Sequence, residues 1–129
     1  MDTPRPGPAH ARLMRFAGRE SLDGMALVQD YEEEKDGAIV FHGHGVFLVE
    51  PDTQDVLWWW FDSMGLPPEP ARGQWEGDLL LFEKSTPRGD ARYRYQFECN
   101  DRYRFTIENR FPGQADFVEF MHGDYVRAP

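Results

Sequence analysis

The sequence predicts a mainly β protein: an antiparallel, up-and-down barrel of about eight strands with one short helix before it. Three observations predict it. Turn signals recur about every ten residues from position 36 onward: Asp36-Gly37, Pro51-Asp52, Gly65 to Pro70, Gly77-Asp78, Pro87 to Asp90, Asn100-Asp101 and Pro112-Gly113. The stretches between them are short and rich in Val, Phe, Tyr and Trp, with no helical stretch among them. The segment 91–110 alternates apolar and polar residues on both sides of a turn, as a half-buried hairpin does.

The elements follow in chain order. Residues 1–8 hold Pro4, Pro6 and Pro8 and have little to bury, which predicts a mobile tail. Residues 9–17 form the one helical stretch. Leu13, Phe16 and Ala17 share a face, Arg12 and Arg15 suit the C-terminal half, and Gly18 is the stop. Strands are expected over residues 25–33, 38–49, 56–62, 72–76, 79–85, 91–99, 103–110 and 116–126, all within one domain, 9–129.

Two hairpins carry enough pattern to assign faces. Asp36-Gly37 is a two-residue type I′ signal. It sets Tyr31 opposite His42, Gln29 opposite His44 and Leu27 opposite Val46. Gly43 and Gly45 within the second of these strands suggest a sharp bend or the close approach of another group. In the later hairpin, Tyr93, Tyr95, Phe97 and Cys99 alternate with Arg92, Arg94, Gln96 and Glu98. A three-residue loop, Asn100-Asp101-Arg102, keeps both apolar rows on one face, with Glu98 opposite Arg104 and Arg94 opposite Glu108. The five arginines between 92 and 110 then read as a charge-paired outer face rather than an anion site. Cys99 falls on the apolar row and reads as a buried small hydrophobe.

Composition narrows the function classes. Lys plus Arg is 14 and Asp plus Glu is 23, so the net charge is −9. Residues 21–129 alone carry 10 basic and 21 acidic side chains. An acidic body argues against a nucleic-acid partner and against docking on anionic lipid. No apolar run reaches the ~18 residues of a membrane-spanning helix. Aromatics are 15%, far above a disordered composition. One cysteine excludes an internal disulfide and fits a reducing compartment. The proline-rich start has no apolar segment of a secretory signal. The expectation is a cytoplasmic protein.

Several strings occur together in order: Asp30-Tyr31-Glu32, Gly43-His44-Gly45-Val46-Phe47, Trp60-Phe61-Asp62-Ser63-Met64-Gly65, Arg72-Gly73-Gln74-Trp75-Glu76-Gly77, Ala91-Arg92-Tyr93 and Phe120-Met121. With them, residues 13–127 resemble a bacterial domain-of-unknown-function family of small lipocalin-like (calycin) β-barrels. The resemblance implies an up-and-down barrel with a central cavity, and no enzymatic activity. The chain departs from the family pattern at its start. Gly18-Arg19-Glu20 lacks the Trp of a Gly-x-Trp first strand and runs almost directly into Ser21-Leu22-Asp23-Gly24. The first strand is therefore expected to be shortened or lost, the barrel incompletely closed, and the open edge available to a second subunit, which predicts a homodimer.

The candidate ligand-binding residues are His44, Asp62, Trp60, Tyr31 and Gln29. A five-residue loop over 51–55 places His44 opposite Asp62 and Val46 opposite Trp60, with Gln29 and Tyr31 on the same face. That would join a few polar groups to an aromatic wall, which is the make-up of a small-molecule pocket. An even loop instead places Leu57, Trp59 and Phe61 on the His44 face, and the sequence leaves both registers open. His42-Gly43-His44 puts two imidazoles on one strand face, which with a third ligand such as His122 could hold zinc, but no further Cys/His cluster supports it. Nothing marks a haem site. No metal and no cofactor are expected. Asp62-Ser63-Met64-Gly65 lacks the two flanking glycines of a nucleophile elbow, and Glu32-Glu33-Glu34 reads as a solvated hairpin end. The leading reading is a barrel that binds a small, mostly apolar ligand without transforming it. The alternatives are an oligomerising structural or interaction domain, and a small enzyme using His44 with Asp62.

Overall fold

A computed structural model of the 129-residue chain describes residues 5–127; the first half of the expected tail lies outside them. The fold is mainly β, antiparallel and up-and-down, with one short helix at the N-terminus. All eight expected strands are present, their ends within two residues of the expected ones, and a ninth precedes them. Among the described residues no helix is long and apolar enough to cross a membrane. The chain forms two compact units, one up to Pro70 and one from Ala71.

The first unit opens with α1 (Pro8–Leu13), shorter than the expected 9–17. Pro8 occupies the first turn, where its missing N–H costs nothing. The α-helix stops early because the next turn tightens: Arg15 N donates to Arg12 O at 3.2 Å and Phe16 N to Leu13 O at 3.0 Å. Leu13 and Phe16 are buried as their shared face predicts, and the Phe16 ring lies 5.2 Å from that of Phe47. The first strand is shortened rather than lost. β1 (Arg19–Ser21) pairs with only Ala26, Leu27 and Val28 of β2 (Ala26–Lys35).

The Asp36-Gly37 turn has the two positive φ angles of type I′, 53° and 81°. The register it starts does not persist into β3 (Ala38–Val49). Glu34 pairs with Ile39 but Glu33 with Phe41, so Val40 is an extra residue. This bulge moves every later partner by one: His44 faces Asp30 instead of Gln29, and Tyr31 and Gln29 face Gly43 and Gly45. β4 (Val56–Asp62) follows a loop over 50–55 and takes the even register, with His44 opposite Phe61 and Gly43 opposite Asp62. The expected pairing of His44 with Asp62 and of Val46 with Trp60 does not form; Val46 faces Trp59.

The second unit is a meander of β5 (Ala71–Glu76), β6 (Leu79–Thr86), β7 (Gly89–Cys99), β8 (Arg102–Arg110) and β9 (Val118–Val126). Its inward row is aromatic: Phe82, Tyr95, Phe97, Tyr103, Phe105 and Tyr125 touch ring to ring at centroid distances of 4.7–6.3 Å. The expected separation of faces holds, with Phe97 and Tyr103 buried and Glu98 and Arg104 exposed. The means differ. The turn leaves two residues between the strands, and a bulge at Glu98 restores the phase. Phe97 therefore faces Tyr103 and Gln96 faces Arg104. Arg94 faces Thr106, and Arg92 is the residue opposite Glu108. Cys99 lies beyond the bulge and is exposed, not a core residue.

Three glycines on the inward rows lie under aromatic rings. A Cβ on Gly43 would stand 2.2 Å from Trp60 Cζ2, one on Gly73 2.5 Å from Phe82 Cε1, and one on Gly123 2.7 Å from Phe105 Cζ. Gly73 and Phe82 are direct cross-strand partners, as are Gly123 and Phe105. The ring folds down over the bare backbone of its neighbour and fills the space a side chain would occupy. Alanine at an unencumbered strand glycine adds roughly 0.5–1 kcal/mol of stability. At Gly73, where Phe82 is 0% exposed and the ring has nowhere to go, Gly73→Ala is expected to cost roughly 1–3 kcal/mol instead. Urea denaturation reads the sign directly; an upward shift of the midpoint would contradict the packing.

Candidate functional site

The residues singled out by the sequence divide between the two faces of the β2–β4 sheet. Gln29, Tyr31, Trp60 and Asp62 share the inward face with Gly43, Gly45, Phe47 and Trp58, as their register positions require. His44 projects from the opposite face, with Asp30 on one side and Phe61 on the other. Four of the five candidate residues thus come together and His44 does not.

On the inward face the two ends differ. Near β1, Leu13, Phe16, Leu27 and Phe47 are buried, and Gln29 Nε2 donates to the Ala17 carbonyl. At the other end Tyr31 remains 41% exposed. Its ring is 6.1 Å from Phe41 at an interplanar angle of 70°, and 6.2 Å from Trp60 at 56°. The three rings are walls of a corner rather than a flat stack. Trp60 is held in place: it stands over Gly43, meets Trp58 edge-on at 5.9 Å, and donates from Nε1 to Asp62 Oδ2 at 3.0 Å. The other Asp62 oxygen accepts from Met64 N at 2.9 Å, so the carboxylate beside the corner is fixed at both oxygens. The glycine at 43 does not open a cavity, because Trp60 fills the room it leaves.

The outward face carries a second arrangement. An open depression of ≈ 390 Å³ is lined by Asp30, Glu32, His42, His44, Phe61 and Ser63 and reaches Tyr31, Gly43 and Asp62 of the inward face. His44 Nδ1 donates to Asp30 Oδ1 at 2.7 Å, and Arg19 lies 3.5 Å from the other Asp30 oxygen. His42 Nδ1 is 3.8 Å from Glu32, and its backbone N–H donates to Ser63 Oγ at 3.1 Å. The hydrogen bond from His44 holds the Asp30 carboxyl below its ordinary range; partial desolvation opposes this, and the charges of His44 and Arg19 add to it. Two histidines with a carboxylate each make a polar surface. Among the described residues no group of three or more His, Cys, Asp or Glu is placed to hold a metal ion.

In the second unit Arg92, Arg94, Arg102 and Arg110 are charge-paired, and Arg104 stands opposite Gln96 rather than Glu98. Arg94 Nε donates to Glu108 at 2.7 Å, Arg92 reaches the other Glu108 oxygen at 3.5 Å, and Arg110 binds Asp90 through Nε and Nη2 at 3.2 and 2.7 Å. Phe117 lies between two of them, with Arg92 at 3.8 Å and Arg110 at 4.5 Å from its ring centre. Ser85 and Arg110 hydrogen-bond Asp90 and hold its carboxyl below the ordinary range. Burial raises the phenols of Tyr93 and Tyr95.

Asp30 and Phe41 are the site residues that sequence reasoning missed, both because of the bulge at Val40. One signal was present: Ile39, Val40 and Phe41 are three apolar residues in a row, which breaks the strand alternation where the phase slips.

No protein-family model matches the chain, and no curated protein matches it.

The Asp30–His44 pair sets an acid response. The folded-state carboxyl lies below its unfolded value, so its contribution is present above about pH 4 and lost as pH falls through the folded value. Asp30→Asn should flatten the decline of the urea midpoint across that acid range. Parallel profiles for the two proteins would contradict the pairing.

Proposed function

We propose that the protein is a lipocalin-like binding module that holds a small, mostly apolar ligand against the inward face of β2–β4 and does not transform it. The observation that carries this reading is the aromatic corner of Tyr31, Phe41 and Trp60, open at one end of a face whose other end is closed by Leu13 and Phe16. Aromatic walls supply affinity by area. Sparse fixed polar groups, here the Asp62 carboxylate, supply orientation. His44 projects from the opposite face and is engaged by Asp30, which supports binding over an enzymatic use of the imidazole.

A titration with N-phenylnaphthylamine, a neutral aromatic probe, tests the reading. Saturable fluorescence enhancement is expected for the wild type. Tyr31→Ser, which removes one exposed wall, should weaken it roughly tenfold. His44→Ala, on the other face, should bind as the wild type does. No saturable enhancement, or equal binding by Tyr31→Ser, would overturn the proposal.

A further inference from the structure

Two carboxylates flank the corner. The register places Glu33 opposite Phe41 on the inward face, and Asp62 stands at the far side beside Trp60. The aromatic rings thus have a carboxylate on either flank. The basic residue nearest on the same row is Lys35, one inward position beyond Glu33 and already at the hairpin turn. Asp30 and Glu32 follow on the reverse face of the same strand, and the chain as a whole carries −9. The rings themselves present negative quadrupole faces, set at 56° and 70° to Tyr31. A cation within about 6 Å of such faces is attracted by each of them. Apolar walls, ring faces and flanking carboxylates are together complementary to one ligand class.

We infer that the corner takes a small organic ammonium ion, alkylated at nitrogen, with its apolar skirt on Tyr31, Phe41 and Trp60 and its charge between Glu33 and Asp62. This rests on the proposal that the corner is a ligand site and specifies what the ligand is. The alkyl groups contact the rings while the charge, spread over them, needs no hydrogen-bond donor. An anionic ligand would meet two carboxylates.

The experiment compares choline with dimethylbutanol, its uncharged carbon isostere, by following the Trp60 indole N–H and Gly43 amide signals in NMR titrations. Choline is expected to bind about tenfold more tightly than the isostere. Glu33→Gln, an exposed position that the fold does not need, should weaken choline several-fold and leave dimethylbutanol unchanged. Equal binding of the two probes would overturn the ammonium inference and leave the apolar-ligand reading standing. Shifts with neither probe would overturn both.

Discussion

The contact on which the inward faces depend is an aromatic ring laid over a cross-strand glycine. It occurs at Trp60 over Gly43, Phe82 over Gly73 and Phe105 over Gly123. A ring that stands upright on a sheet buries one edge and leaves gaps beside it. A ring that folds onto a bare backbone buries a whole face and places its far edge against the next strand. Phe82 is fully buried by this means, and Trp60 gains the fixed orientation from which its Nε1 reaches Asp62. The same contact explains why short strands can carry so many large rings. The volume of each ring is matched by a missing side chain opposite it, and the interior stays close-packed without strain.

The strands were legible in the sequence because alternation and turn chemistry act locally. Asp36-Gly37 dictates a type I′ turn whatever surrounds it, and the apolar rows of β7 and β8 must share a face whatever the loop. Registers were less legible. A bulge of one residue at Val40, Glu98 or Phe120 changes partners without changing composition, and none of the three is the glycine or proline that usually marks an irregularity. At Glu98 the bulge preserved the expected faces while replacing the expected partners. At Val40 it carried His44 away from Gln29 and Tyr31 and gave it Asp30. The glycines illustrate the same limit. Their lack of a side chain reads equally as room for a ligand or room for a neighbour's ring, and at Gly43 Trp60 takes the room.

Two kinds of chemistry are thereby kept apart on one thin sheet. The outward face of β2–β4 carries imidazole–carboxylate pairs that are largely solvated. The inward face carries ring faces and a carboxylate held at both oxygens. A one-residue bulge is what separates them, since without it His44 would lie opposite Gln29 rather than Asp30. In the second unit the charged groups are used differently: Arg92 and Arg110 close on Phe117 and on their carboxylate partners.

The most direct test of the ring-over-glycine contact is the proton chemical shift of the glycine Hα atoms in the folded protein. Aromatic ring currents shield protons lying over a ring face. Gly43, Gly73 and Gly123 should therefore show Hα signals displaced upfield of those of Gly37, Gly77 and Gly113, where a Cβ would meet nothing within 4 Å. Indistinguishable shifts for the two sets would contradict the account, because the rings would then not lie over the backbone they are said to fill.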